Sequence, residues 1–125
     1  KAHRHGAGAH VIILRGEGFS MVWREGEDIK RYNWRAGSLL VPPEGWFHQH
    51  FNTGAQAARH LAIRYGSRIH PIGFKIADKR SEDGVYIDVK RGGTLIEYAD
   101  EDPYIRKHYE DEMNKAGVPC EMPNV

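Results

Sequence analysis

The chain has 125 residues, enough for one domain with a single core. Its 18 basic and 17 acidic side chains leave a net charge of +1, without the basic surplus typical of nucleic-acid or membrane-surface binding. Apolar runs such as Val11–Leu14 are too short to span a bilayer, and a single cysteine, Cys120, excludes an internal disulfide framework. We therefore expect a cytoplasmic protein that binds neither nucleic acid nor a membrane.

Residues 1–66 alternate short apolar runs with turn residues, a pattern typical of an all-β sandwich or barrel. Six strands are predicted, over residues 10–15, 19–23, 29–34, 39–41, 46–51 and 57–65. In the second strand, Phe19, Met21 and Trp23 alternate and should share one face. Six strands in so short a segment leave no room for the long crossovers of parallel sheets, so we expect a jelly-roll β-barrel.

Residues 67–125 are more polar, and we interpret them as a C-terminal extension that packs on the barrel as part of the same fold. The segment Val85–Tyr98 contains two apolar runs separated by glycines, which predicts a hairpin. A helix follows. Asp102 can cap its start, Pro103 suits its first position, and Gly117 is placed to end it.

Three histidines stand in two short motifs. His3 and His5 are two residues apart, so on a strand both imidazoles point to the same face. The fragment Gly37–Asn52 has the form G-x5-P-x-G-x2-H-x3-N, and its Pro-x-Gly turn can direct His48 from a neighbouring strand. Three neutral imidazoles suit a first-row divalent metal. His3, His5 and His48 are therefore the predicted metal ligands.

The second motif resembles the second signature of the cupin superfamily, and the H-x-H with the later Gly16 resembles the first. Many cupins add a glutamate ligand after H-x-H. That position falls here on Ala9, or on His10 if a bulge adds one residue, and neither is a carboxylate. The set therefore resembles the three-histidine sites of gentisate 1,2-dioxygenase-like cupins, cysteine dioxygenase and β-diketone-cleaving enzymes. The resemblance implies Fe(II), with Mn, Ni or Zn as alternatives.

Cupins usually carry several strands before the H-x-H motif, whereas His3 lies at the start of this chain. We expect the strands that complete the barrel to come from an upstream segment, from a partner chain, or from the Val85–Tyr98 hairpin. A homo-oligomer, most simply a dimer, is therefore expected.

The missing carboxylate bears on function, because three neutral ligands leave the full +2 charge on the metal and favour a small, anionic, bidentate substrate. Together with the resemblance, this predicts a mononuclear non-haem iron dioxygenase acting on a small anionic substrate, aromatic or enolisable. The alternative is a non-redox cupin, either a small-molecule-binding or regulatory module or a metal-dependent lyase or isomerase.

Three further residues are candidates for substrate contact and catalysis. His50 shares strand parity with His48 and could bind substrate or relay protons, or could be a satisfied polar residue at the barrel mouth. His60 and Arg64 share a face with small alanines, which leaves room for a ligand whose carboxylate Arg64 could bind. An exposed polar face is the alternative. The opposite face of that strand, with Leu61, Ile63 and Tyr65, is expected in the core.

Overall fold

The computed structural model describes residues 1–6, 8–64 and 86–123. Six strands in these parts of the chain form two three-stranded antiparallel sheets. The strands are β1 (Ala9–Arg15), β2 (Glu17–Trp23), β3 (Lys30–Arg35), β4 (Leu39–Leu40), β5 (Phe47–Asn52) and β6 (Arg59–Arg64), and the helix is α1 (Pro103–Ala116). The order of the outer sheet is β4-β1-β6, and the order of the central sheet is β3-β2-β5. All six predicted strands are present within two residues of their predicted bounds wherever both ends are described.

The central sheet separates two apolar clusters. On one face the alternating side chains of β2 and β5 pack against α1, with Ile105 from the helix fully buried among them. The strand residues of this cluster are Phe19, Met21, Trp23, Phe47 and Phe51. The predicted shared face of Phe19, Met21 and Trp23 is thus confirmed.

The other face of the central sheet looks toward the outer sheet. Ala9, Val11 and Ile13 on β1 form a second apolar cluster there with Trp34 of β3. Because successive strand residues alternate between faces, the even-numbered residues of β5, including His48 and His50, point into this space. The candidate site lies between the two sheets.

The predicted jelly-roll barrel is not seen among the described residues, where the two sheets stay open. Barrel closure needs every strand to pair on both sides, whereas β3, β4 and β6 are each hydrogen-bonded to one neighbour in the sheet order. Jelly rolls use eight strands, and residues 1–6, 8–64 and 86–123 contain six. The fold shown is a mostly β structure of two antiparallel sheets with one C-terminal helix.

The predicted hairpin over Val85–Tyr98 is wrong for its described part, residues 86–98. Val89–Arg91 forms a 3-10 turn instead of a strand, and an isolated bridge joins Asp88 to Leu95. The Asp88 carboxylate accepts a hydrogen bond from the backbone N–H of Lys90 at 2.7 Å, which caps the turn. Such a local cap competes with strand pairing, and it diverts the chain into a tight loop.

The expectation that Leu61 and Ile63 lie in the core is also wrong. Their side chains are 46% and 54% exposed. In the register of β1 with β6, Val11 pairs with Ala62, so Ala62 shares the inner face and Leu61 turns outward. Tyr65 and the predicted domain boundary at residue 66 lie outside the described residues.

The helix begins and ends where its sequence signals predict. The Asp102 carboxylate accepts a hydrogen bond from the N–H of Tyr104 at 2.9 Å, and Pro103 is the first helical residue. Gly117 ends the helix at φ 66°, a left-handed conformation that suits glycine. No helix in the described ranges is long and apolar enough to cross a membrane.

Helix α1 is also held to the central sheet by Arg31 of β3. The Arg31 guanidinium donates to the imidazole of His108 and to the Glu112 carboxylate, the latter at 3.1 Å, and lies over the Phe19 ring. Hydrogen bonds from Arg31 and from Lys115 lower the pKa of Glu112 to about 2. The ionised carboxylate is therefore part of the contact between helix and sheet.

We expect the Glu112→Gln variant to lose the part of the free energy of unfolding that comes from the ionised Glu112 carboxylate and therefore depends on pH. Because folding lowers the pKa of Glu112 from 4.5, this stabilisation is complete above pH 4.5 and is lost as the pH falls toward about 2. The difference in free energy of unfolding between wild type and variant, measured by urea titration at several pH values, should shrink over that range. Glu110→Gln is the control, since Glu110 pairs with Arg106 within the same helix. Equal pH dependence of both variants would contradict the contribution of Glu112.

Candidate metal centre

The segment that carries the first two histidines is bound to the edge of β5. His3 donates its backbone N–H to the carbonyl of His48 at 3.1 Å, and His48 donates back to the carbonyl of His3 at 2.9 Å. The N–H of Gly45 donates to the carbonyl of His5 at 3.0 Å, with Gly45 at φ 77° in the Pro-x-Gly turn. The turn of the second motif thus holds the first motif in register with β5.

The opposite side of the segment is also paired. Ile96 donates its N–H to the carbonyl of Ala2, and Arg4 donates its N–H to the carbonyl of Thr94, both at 2.9 Å. The Glu101 carboxylate accepts a hydrogen bond from the N–H of Ala2 at 3.1 Å, and burial raises the pKa of Glu101. The H-x-H segment therefore behaves as a short extended strand fixed on both edges.

The three predicted ligands come together in the structure. One potential ligand nitrogen from each of His3, His5 and His48 lies within 4.8 Å of the others. The ring of His48 is centred 4.6 Å from that of His3 and 4.8 Å from that of His5. His5 and His48 are 7% and 3% exposed. This separation of the rings is close to that of three imidazoles bound to one ion by bonds of about 2.0–2.1 Å.

Each of the three rings has one nitrogen hydrogen-bonded to a backbone carbonyl, which fixes its tautomer. The acceptors of the Nδ1 atoms are Lys1 for His3 at 3.1 Å, Gly6 for His5 at 3.3 Å and Trp46 for His48 at 3.1 Å. A carbonyl oxygen can only accept, so Nδ1 carries the proton in each ring. The lone pair is then on Nε2, the arrangement that a metal-ligating histidine requires.

The electrostatics of the cluster also suit a metal. Burial, with the neighbouring imidazole of His3 as a second cause, lowers the pKa of His48 to about 3. His48 is therefore neutral near pH 7, and a metal does not have to displace a proton from it.

The donor set consists of imidazoles. Across the described residues, the cluster of histidine, cysteine and acidic groups that could hold a metal contains His3, His5 and His48. Ala9 is buried on the inner face of β1, and His10 is exposed on the other face, as the strand parity predicts. The residues present therefore fit a divalent first-row metal bound by three neutral nitrogens.

His50 lies next to the cluster on the same face of β5. Its ring is centred 5.6 Å from that of His48, and its Nδ1 lies 2.6 Å from the Ser20 hydroxyl. Burial, followed by the neighbouring His60, lowers the pKa of His50 to about 4, so the ring is neutral near pH 7. Ser20 was not among the predicted site residues, although its position between Phe19 and Met21 places it on the site-facing side of β2.

His60 and Arg64 share one face of β6, as predicted, and the pairing with Ile13 and Ala9 makes it the inner face. The ring of His60 is centred 5.7 Å from that of His50, and its buried Nε2 has no hydrogen-bond partner among the described residues. Arg64 is exposed and donates to the carbonyl of Gly6 at 3.3 Å, the same carbonyl that accepts from His5. The catalytic roles assigned to His50, His60 and Arg64 stay predictions.

A cavity of about 400 Å³ lies beside the histidine cluster. His3 and His50 both line it, with Tyr98 and Tyr109 among its other walls. Tyr86 also approaches the cluster, its ring centred 5.7 Å from that of His3. The sequence carries no local signal for these tyrosines, because they reach the site from segments distant along the chain.

Comparison with protein-family models, with curated proteins and with solved structures finds no match to this chain. The two antiparallel sheets and the three neighbouring histidines are compatible with a cupin.

Replacing His48 with alanine should remove one of the three ligands and greatly reduce metal retention. We expect elemental analysis of protein purified without chelator to show near-stoichiometric metal in the wild type and at least tenfold weaker binding in the variant. His10→Ala is the matched control, because His10 is an exposed histidine on the opposite face of β1. Undiminished metal content in the His48→Ala variant would contradict the site.

Proposed function

We propose that the chain is a cupin in which His3, His5 and His48 bind a single Fe(II) ion. We further propose that it is a mononuclear non-haem iron dioxygenase acting on a small anionic substrate, aromatic or enolisable. The bound iron would supply redox chemistry with dioxygen. The protein supplies the binding, orientation and protection from water that direct this chemistry.

One observation carries the proposal. The three Nδ1 atoms are all bonded to backbone carbonyls, so each ring carries its lone pair on Nε2, the tautomer in which a histidine binds a metal. A chance cluster of histidines has no reason to share that arrangement. The two motifs that resemble those of cupins supply the same three residues.

The substrate class follows from charge. Three neutral imidazoles leave the ion with its full +2 charge, which favours an anionic ligand with two oxygen donors. The cavity beside His3 has room for a small molecule, and its aromatic walls suit a planar one. Arg64, held near His5 through the Gly6 carbonyl, is the proposed partner of a substrate carboxylate.

The architecture supports a cupin in part. The strand order and the space between two antiparallel sheets agree with an incomplete jelly roll. In this proposal the remaining strands are supplied from outside the described residues or by a partner chain. A homodimer would cover the exposed outer face that carries Leu61 and Ile63.

A non-redox cupin is the second candidate, because the same donor set favours it equally. Three imidazoles also suit Zn(II), which carries out no redox chemistry but polarises a substrate or activates water. A metal-dependent lyase or isomerase, or a small-molecule-binding module, would use the same cavity.

The dioxygenase proposal predicts substrate-dependent oxygen uptake by the iron-loaded protein. An oxygen electrode should record uptake with at least one member of a panel of gentisate, salicylate, catechol and acetylacetone, and none with the His48→Ala variant. His10→Ala should retain the activity. Absence of uptake across the panel would reject the dioxygenase, and tight binding of one member by the Zn-loaded protein would then favour the non-redox candidate.

If turnover is found, Arg64→Ala should mainly raise KM for acidic substrates. A carboxylate contact binds ground state and transition state about equally, so kcat should change little. The expected rise is about tenfold, the effect of losing one charge-assisted hydrogen bond. Arg59→Ala on the same strand is the control, since Arg59 is also exposed. An unchanged KM would show that Arg64 does not contact the substrate, and the proposed metal centre would be unaffected.

A further inference from the structure

Two hydrogen bonds in series connect Trp34, Ser20 and His50 between the sheets. The indole Nε1–H of Trp34 donates to the Ser20 hydroxyl oxygen at 3.0 Å. The same oxygen lies 2.6 Å from Nδ1 of His50. Ser20 is fully buried, and Trp34 is 5% exposed. The connection crosses three neighbouring strands, because Ser20 on β2 is directly paired with His50 on β5.

The direction of both bonds follows from the chemistry of the groups. An indole N–H can only donate, so Ser20 accepts from Trp34. If Ser20 also accepted from His50, its own hydroxyl proton would be buried without an acceptor, at a cost of about 1–3 kcal/mol. Ser20 therefore donates to Nδ1 of His50, and the neutral ring carries its proton on Nε2.

The position of Ser20 also sets where Nε2 points. Nδ1 of His50 is turned toward β2, so the far edge of the ring turns toward the other side of β5. His3 is bonded to β5 on that side, and the cavity beside the cluster is lined by both His3 and His50. A ligand bound in this cavity would therefore lie beside both rings.

We propose that Trp34 and Ser20 are positioning residues that hold His50 in its Nε2–H tautomer, and that His50 donates this hydrogen to an unprotonated oxygen of the ligand. The proposal rests on the proposed metal centre. His50 has the opposite tautomer to the three ligand histidines, which keep their proton on Nδ1. The same residue type thus serves as ligand at three positions and as donor at a fourth.

This arrangement selects a chemical class of ligand. A fixed N–H donor binds a carboxylate or phenolate oxygen more strongly than a neutral hydroxyl oxygen, because a hydrogen bond to a charged acceptor is about twice as strong. The selected ligand therefore presents an unprotonated oxygen beside the metal. A deprotonated ortho-hydroxycarboxylate such as salicylate fits this requirement.

The tautomer can be tested without metal or substrate. Long-range ¹H–¹⁵N correlation spectra of the metal-free protein should show His50 with a protonated Nε2 and an unprotonated Nδ1. Ser20→Ala should produce a mixture of tautomers, while Ser20→Thr, which keeps the hydroxyl, should retain the wild-type pattern. Trp34→Phe removes the indole donor while keeping an aromatic ring, and should weaken the preference. A wild-type spectrum with the proton on Nδ1 would overturn the proposal.

The donor role can be tested by calorimetry of salicylate binding to the redox-inert Zn-loaded protein. His50→Phe should weaken binding by about tenfold or more, the effect of losing a hydrogen bond to a charged group, and His50→Gln should restore part of it through its amide N–H. Ser20→Ala should weaken salicylate binding by about twofold or more, because only molecules with the Nε2–H tautomer of His50 can donate to the ligand. Ser38→Ala is the control, because the Ser38 hydroxyl caps a turn at Arg35 away from the site.

Metal content separates the failure of this inference from failure of the proposed metal centre. If His50→Phe retains metal and binds salicylate as tightly as wild type, the donor role is wrong and the metal centre stands. If the wild type retains no metal, the metal centre and the donor role fail together, although the tautomer in the metal-free spectrum is still measured. Absence of salicylate binding to the Zn-loaded wild type would overturn the assigned ligand class.

Discussion

The site depends on the backbone pairing of one short segment, Ala2–His5. On one side it exchanges two hydrogen bonds with His48 of β5, and on the other it is bonded to the loop of residues 94–96. A single extended segment held on both edges has little freedom to rotate, so the imidazoles of His3 and His5 have a fixed direction. The same pairing brings them to His48. Three candidate ligands from two distant motifs are thereby placed by main-chain geometry, and hydrogen bonds from Nδ1 to backbone carbonyls orient their rings.

The central sheet serves both stability and chemistry, because successive strand residues face opposite sides. On β5, Phe47 and Phe51 contribute to the core beneath α1, while His48 and His50 face the outer sheet. Burial in that second space keeps His48 neutral, with a pKa of about 3. The neutrality of the ligands in turn leaves the charge of a bound metal uncompensated, and that charge is the basis for expecting an anionic substrate.

The strands and the helix could be predicted because their signals are local. Alternation identifies the strands, and Asp102, Pro103 and Gly117 bound the helix through neighbouring backbone groups. The predictions that were wrong concern features that strand alternation does not reveal. Asp88 caps a 3-10 turn that alternation does not reveal, and the outward face of Leu61 depends on the register of β6 with β1. Barrel closure likewise depends on how many strands pair at the sheet edges.

For the site itself, the sequence alone determined the three candidate ligands. Strand periodicity places His3 and His5 on one face, and the turn motif supplies His48, so residue spacing was sufficient. Only the tertiary structure decided which nitrogen of each ring meets a hydrogen-bond partner on the backbone or on Ser20. The carbonyls of Lys1, Gly6 and Trp46 orient the candidate ligands, and the Ser20 hydroxyl contacts Nδ1 of His50. Spacing along the chain cannot specify these choices, because each depends on the direction in which a folded ring meets a neighbouring donor or acceptor.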